Sequence, residues 1–309
     1  MFTRHKLNLT KEFKIISIGQ EIYFRNTSFE GYLGNMQGEF LPYTFFKDWK
    51  SQLIKIQEKN PDLVLIYRPE VFDKEFLRIL KENYITIGYF TEPLPFGEYK
   101  NHPDLLTRFS FIEKYDFNSC DEYIFYNPVT NKILDQYCKP ILTHPLPVND
   151  LVYSKNYNLK TDQIRGLFVG RVSEYRNNFL MPLKHYWDWT VIDHGMMGIE
   201  YESHFNISLN LHSESYPNFE NRILLHMAKG LVVFTQPLVT NFDLKKNKHF
   251  IQFSTVEELN NLVDYYSKNL SELTKIQENS VKKVEDYKAS TFMQNVVEIL
   301  FRKRQDLFR

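Results

Sequence analysis

Short apolar runs alternate with longer amphipathic stretches almost from the start of the chain. Residues 13–18 (FKIISI) read as a buried strand ending at Gly19, and residues 45–57 as a helix whose apolar members are Trp49, Leu53, Ile54 and Ile56. Residues 62–67 (DLVLIY), set off by Asn60-Pro61, form a second strand. Over residues 71–83 the apolar positions Phe72, Phe76, Leu77 and Leu80 recur at the spacing that lines one face of a helix. Strands at 85–90 and 122–126, helices at 105–115 and 129–137, and a strand at 141–144 continue the alternation. Strands separated by helices in this way predict βαβ units and a parallel sheet.

The periodicity lapses over residues 146–163, around Pro147 and asparagine-bearing turns, and this stretch reads as a seam. Strand-like runs resume at 166–169, 189–192, 207–211, 231–235 and 249–253, with helices at 222–229 and 256–268 and a last helical stretch over about 270–308. Two successive α/β halves follow, 1–150 and 151–309, each of ordinary domain size.

Composition narrows the class. The 38 basic and 38 acidic side chains, with 43% hydrophobic residues, describe a globular chain and not a disordered one. No stretch approaches the roughly 18 to 20 consecutive apolar residues of a spanning helix, and the opening MFTRHKLNLTKEF lacks the apolar segment of a secretory signal. Cys120 and Cys138 are too few for a disulfide framework and lack metal-ligand spacing, so a reducing cytoplasm is the expected setting. Up to Asp150 the chain has 18 basic and 20 acidic residues, and beyond it 20 and 18. Neither half carries the basic surplus that phosphate contacts require, so no nucleic-acid partner is expected.

Open parallel sheets bind ligands beyond the carboxyl ends of their strands, so the residues just after each strand are the ones to weigh. Gly170-Arg171 follows the strand GLFV, with Arg176 five residues on. A glycine there allows a tight turn, and two arginines can clamp a phosphate pair, although arginines on a solvated loop look the same in sequence. The run LNLHSESYPNFENRILLHMAKGLVVFT, residues 209–235, ends a buried strand at His212 and passes through a polar loop, residues 213–218, that closes with Asn218. A helix then begins near residues 219–221, where Glu220 and Asn221 stand, with Arg222 in its first turn. A helix start with an added cation suits an anion, and a plain capped loop with Asn218 as N-cap is the alternative. His194 and His212 each follow a strand, where a histidine serves either a ligand or the local hydrogen bonding.

This run resembles the C-terminal half of GT-B glycosyltransferases, in particular the Glyco_trans_1-like domains of the CgeB spore-maturation type. The matching stretch is Asn221-Arg222-Ile223-Leu224-Leu225-His226-Met227-Ala228-Lys229-Gly230, then LVVFT, then Val256-Glu257-Glu258-Leu259 with Leu262, Val263, Tyr265 and Tyr266. In the first half, DLVLIYRP and GYFTEPLP are similar to segments of the same family. The resemblance implies two Rossmann-like α/β domains facing a cleft. Residues 1–150 would bind the acceptor and residues 151–309 the nucleotide-sugar, with the last helix packing back toward the first domain. It implies transfer of a sugar to a glycan or lipid-linked glycan hydroxyl, with no cofactor and no metal. Gly170, Arg171, Arg176, His194, His212, Asn218, Glu220, Asn221 and Arg222 would lie about the donor.

One departure stands out. The glutamate that holds the donor ribose in this fold falls at Leu225, which leaves Glu220 to take over, the nucleotide held differently, or the activity lost. An inverting reaction would need a base from the first half, and Glu92, in Thr91-Glu92-Pro93 after the third strand, is the first candidate. Glu21 and Glu30, on a loop that Gly31 and Gly34 would make mobile, come next. The basic amphipathic C-terminal end allows a peripheral contact with anionic lipid. A sugar-nucleotide epimerase on the same architecture and a degenerate, binding-only transferase are the rival readings.

Overall fold

The computed structural model describes residues 12–43, 48–154, 165–183, 188–192 and 205–303. The chain divides into two compact units, 1–150 with 289–309, and 151–288.

The first unit is built on a seven-stranded sheet among the described residues. Its elements run β1 (Phe13–Gly19), the single turn α1 (Glu21–Phe24), β2 (Gly31–Leu33), β3 (Met36–Pro42), α2 (Trp49–Lys59), β4 (Leu63–Tyr67) and α3 (Lys74–Asn83). They continue through β5 (Ile85–Phe90), α4 (Pro103–Glu113), β6 (Glu122–Phe125), α5 (Pro128–Leu134) and β7 (Leu142–Thr143). The strand order is β2-β3-β1-β4-β5-β6-β7, parallel throughout except for β2 against β3. Every residue of β4 is buried, which is why it reads as an unbroken apolar run: helices cover both faces of a parallel sheet. Asp73 caps α3 by accepting from the amides of Glu75 and Phe76, and the helix turns Phe76, Leu77 and Leu80 into the core.

One expectation fails here. The stretch after β1 is not a mobile loop: it forms α1 and the β2–β3 hairpin, and β3 pairs in parallel with β1 along all seven residues. Gly34 turns the hairpin with φ of 59°, a conformation that favours glycine. The signal was present, because Met36, Gly38 and Phe40 point inward in strict alternation with Gln37 and Glu39.

The second unit holds β8 (Arg165–Val169), α6 (Glu174–Leu183), β9 (Asp188–Ile192), β10 (Ile207–Asn210) and α7 (Arg222–Ala228). After these come β11 (Val232–Thr235), β12 (Ile251–Gln252), α8 (Val256–Lys268) and α9 (Leu270–Val284). Its five described strands are all parallel, in the order β12-β11-β10-β8-β9. Ile207, Leu209 and Leu211 join Phe168, Phe234, Phe253 and Leu259 in one apolar core.

The final helical stretch is two helices and not one. A 3-10 turn at Glu285–Tyr287 and an extended Lys288 end α9, and the chain re-enters the first unit as α10 (Ala289–Lys303). Phe292 on α10 lies 5.8 Å from the Tyr89 ring and 4.9 Å from the His144 ring. The Asp150 carboxylate accepts hydrogen bonds from the backbone amide of Ser290 at 2.9 Å and from its hydroxyl, and the Val148 carbonyl accepts from the amide of Ala289. Within α10, Val296, Val297 and Leu300 are buried, while Lys303 pairs with Glu122 at 2.9 Å. No helix among the described residues is long and apolar enough to cross a membrane.

Asp150 satisfies a first-turn amide of α10 that has no partner within the helix. Asp150→Ala is therefore expected to destabilise the first unit by about 1 to 2 kcal/mol, as other lost caps do. Urea unfolding followed by aromatic fluorescence measures this, and Asp150→Asn should recover part of the loss.

Candidate functional site

In both sheets the first parallel strand lies between the second and the third, so successive connections leave it in opposite directions. Such a reversal opens a crevice at the carboxyl ends of the strands it separates. In the first unit the place is between β1 and β4, and in the second between β8 and β10.

The two places are furnished differently. In the first unit Phe24 stacks on Tyr67 with ring centroids 4.5 Å apart, and a side chain at Gly19 would meet the Phe24 ring at 2.8 Å. The Tyr67 hydroxyl donates to the Thr27 carbonyl. Aromatic rings fill that corner. In the second unit polar and charged groups converge. Gly170 ends β8 with φ of 148°, and a Cβ placed on it would sit 2.8 Å from Arg222 Nη1 and 3.3 Å from Arg176 Nη1. Both guanidiniums lie over the Phe168 ring, at 5.4 and 5.6 Å from its centroid.

The arginines have internal partners. Arg176 is 4% exposed and donates through Nε to the Leu211 and His212 carbonyls, through Nη2 to Leu211 and through Nη1 to the Arg171 carbonyl. Arg222 donates to the Val169 carbonyl at 2.6 Å and to Glu220 Oε2 at 3.3 Å. Burial, and then the charge of Arg222, lower the Arg176 pKa to about 10. Burial pushes the Glu220 carboxyl upward, but Arg222, Arg176 and His212 outweigh it and hold it below the ordinary value. Arg171 keeps an exposed side chain. Asn221 is the N-cap residue of α7 but makes no side-chain capping bond, so Asn218 is not the cap, and the buried Asn218 Oδ1 has no hydrogen-bond partner among the described residues. His194 lies outside the described residues.

His212 donates through Nε2 to the Pro237 carbonyl at 2.7 Å, because a carbonyl only accepts. Burial lowers its pKa, with Arg222 and Arg176 acting in the same sense against Glu220 and the Pro237 bond. Its buried Nδ1 has no hydrogen-bond partner among the described residues. Beneath it, Asn210 donates to the Thr235 hydroxyl and Ser208 hydrogen-bonds the fully buried His226 of α7. Sequence reading missed Ser208, Asn210 and His226. The clue was ISLNLH, in which every second residue of a buried strand is polar. Leu225, at the position where the resemblance expects a glutamate, is 1% exposed.

In the first unit Glu92 is 16% exposed, and each of its oxygens meets an arginine: Oε1 is 3.2 Å from Arg68 Nε, and Oε2 contacts Arg108 Nη1. Arg68 also reaches Glu70 Oε1 at 3.1 Å, and it adopts the left-handed region with φ of 58°. Burial raises the Glu70 pKa, against the charge of Arg68. Sequence reading missed Glu70, although Arg68-Pro69-Glu70 directly follows a strand. Glu21 pairs with Arg25 at the surface, and Glu30 accepts from the Asn149 amide while burial raises its pKa. Among the described residues no three His, Cys, Asp or Glu side chains group as metal ligands.

No family model and no curated protein matches the chain, so the CgeB-type likeness rests on the sequence segments alone. Solved structures do match its fold. A glycosyltransferase from Rickettsia africae aligns with 94% of this chain and 98% of its own at 12% identity, TM-score 0.60. HepE from Anabaena, solved in complex with UDP-glucose, aligns with 93% of this chain and 99% of its own at 10% identity, TM-score 0.56. TarM aligns with 80% of this chain at 10% identity, TM-score 0.57, and this chain spans 57% of TarM. The mixed α/β fold, with its two sheets, is that of GT-B glycosyltransferases.

Two outcomes follow from the site. Gly170→Ala combines a strained φ with a contact on Arg222 and should cost about 1 to 3 kcal/mol, read from urea denaturation. His226 has its pKa lowered to about 3, by burial and then by Arg222. An unfolded histidine titrates near 6.5, so between pH 6.5 and 3 the unfolded chain binds a proton that the folded chain refuses, and stability falls as pH falls. In His226→Gln the slope of unfolding free energy between pH 6.5 and 4.5 should drop by up to about 1.4 kcal/mol per unit.

Proposed function

We propose that the protein is a glycosyltransferase that moves a sugar from a nucleotide-sugar to a hydroxyl acceptor, a glycan or lipid-linked glycan. The observation that carries this reading is the contrast between the two strand-reversal corners. The second unit gathers Gly170, Arg176, His212, Glu220 and Arg222 at its corner, whereas aromatic rings occupy the corner of the first. The nucleotide-sugar belongs to the second unit in this reading, and the acceptor to the first. HepE, of similar fold, has been solved with UDP and with UDP-glucose, which supports a donor of that class.

Leaving-group charge on a diphosphate needs preorganised cations or amide dipoles. With Arg176 and Arg222 tied to carbonyls, Arg171 is, among the described residues, the exposed cation at the end of β8 that is left to reach a phosphate. No resident cofactor or metal enters this reading. Both oxygens of Glu92 are occupied by arginines, so it suits a positioning role better than proton abstraction. A retaining reaction, which requires no such base, is the more economical choice. A catalytically degenerate binding subunit is the second reading, favoured by the buried Leu225.

Thermal melting of the purified protein with UDP, GDP, CMP and dTDP, each with and without its sugars, separates these readings. A nucleotide at 100 times its Kd should stabilise by about 2.7 kcal/mol. The transferase reading expects a shift with one nucleotide, reduced in Arg171→Ala, and release of that nucleotide on turnover. Binding without turnover points to the degenerate subunit, and no shift with any nucleotide removes the donor site.

A further inference from the structure

The two cysteines of the chain lie at the amino ends of the last two strands of the first unit's sheet, the end opposite its strand-reversal corner. β6 and β7 pair in parallel, with Ile124 beside Leu142 and Phe125 beside Thr143. The same offset carried back along both segments sets Cys120 beside Cys138. Two further contacts join these segments. The rings of Phe117 and Tyr137 stack with centroids 4.9 Å apart and planes 8° from parallel. The Ile141 amide donates to the Tyr123 carbonyl at 2.8 Å. Neighbouring strands run about 4.8 Å apart, and a disulfide bridges Cα atoms roughly 4.4 to 6.8 Å apart.

Both thiols belong to one apolar core. Cys120 is 2% exposed within it, and the partly buried Cys138 packs against it. Tyr123 holds the Cys120 side: its hydroxyl donates to the Phe117 carbonyl and accepts from the Cys120 amide. The Tyr115 hydroxyl reaches Cys120 Sγ at 3.4 Å. Cys138 closes the last turn of α5, its amide donating to the Leu134 carbonyl. The two sulfurs act on the ionisation of the same side chain, Tyr123, and Cys120 acts on that of Cys138.

We propose that Cys120 and Cys138 form a redox-sensitive dithiol that closes to a disulfide and staples β7 to β6. β7 is two residues long and stands at the edge of the sheet, and it carries the chain toward Val148 and Asp150, where α10 docks. Closure proceeds by exchange with a small-molecule disulfide. Cys138, the more exposed, attacks one sulfur of the reagent as a thiolate, and the other sulfur leaves and takes up a proton. Cys120 then attacks Cys138 Sγ in the mixed disulfide and releases the second thiol. The protein gives up two protons and two electrons, and the reagent gains them as two thiols. Burial, the largest cause at both positions, pushes the two thiols up to about 12. Thiolate is therefore scarce at neutral pH, and closure quickens about tenfold per unit of pH.

The full-length protein, incubated with glutathione disulfide between pH 7 and 9, then unfolded, alkylated with a maleimide and weighed by mass spectrometry, tests this. The expected product is lighter by two hydrogens, carries neither glutathione nor maleimide, and yields a peptide joining Cys120 to Cys138. Its melting temperature should exceed that of the reduced protein by about 5 to 10 °C, because the closed loop restricts the unfolded chain. Dithiothreitol should reverse both changes. Cys120→Ala should stop at a glutathione adduct on Cys138, and Cys138→Ala should stay unmodified. A wild type that stops at the adduct, keeps both thiols open to alkylation after prolonged incubation at pH 9, or links two chains together overturns the proposal without recourse to either variant.

Discussion

Two guanidiniums of like charge lie side by side where β8 and β10 end, and the arrangement of the second unit is largely the answer to that fact. Arg176 and Arg222 share the face of Phe168, and the charge of Arg222 adds to burial in disfavouring that of Arg176. Buried cations persist only when hydrogen bonds and opposite charge offset their lost hydration. Here the carbonyls that parallel strands expose at their carboxyl ends provide the hydrogen bonds, and Glu220 provides the charge. Gly170 must then lack a side chain, because a Cβ would enter the space the guanidiniums occupy. Backbone, loop and strand ends are joined through these two side chains.

The two units make the same topological choice with opposite chemistry. Each places its first parallel strand between the second and the third, which leaves a corner where the connections diverge. In one unit a stacked pair of rings closes the corner and tyrosine hydroxyls bond to the backbone. In the other, partly satisfied polar groups remain. Two sheets of the same order thus differ in what their strand ends carry, and that difference lies in a few residues after β1, β4, β8 and β10. The charged chain of the first unit has Arg68 and Glu70 just after β4, Glu92 just after β5 and Arg108 on α4.

Most strands and helices could be read from the chain because burial on both faces writes an unbroken apolar run, as in LVLIY, and helix faces write a three-to-four spacing. The hairpin after β1 was harder: its short edge strand β2 has no buried residue, so only β3 carries a pattern. The break before α10 was illegible for another reason. Residues on both sides of Lys288 favour helix, and what stops the helix is the docking of Ala289 and Ser290 against Val148 and Asp150, far away in sequence. At the site, position after a strand was enough to single out Gly170, Arg176, His212 and Arg222. It could not say that the arginines would bind carbonyls, since a guanidinium's partner is chosen by the folded neighbourhood. Glu70 escaped notice for the same reason: burial, which raises its pKa, is a property of packing.

The chain leaves the first unit after Asp150 and returns at Ala289, so the second unit is an insertion within the first. A ribosome making this protein releases residues 151–288, complete and contiguous, before it supplies α10. Until then Tyr89 and His144 lack the aromatic partner Phe292, and Asp150 has no helix to cap. Domains generally fold as units during synthesis. The order of completion here runs against the order of sequence: the inserted unit can finish first, and the amino-terminal unit closes its own core last.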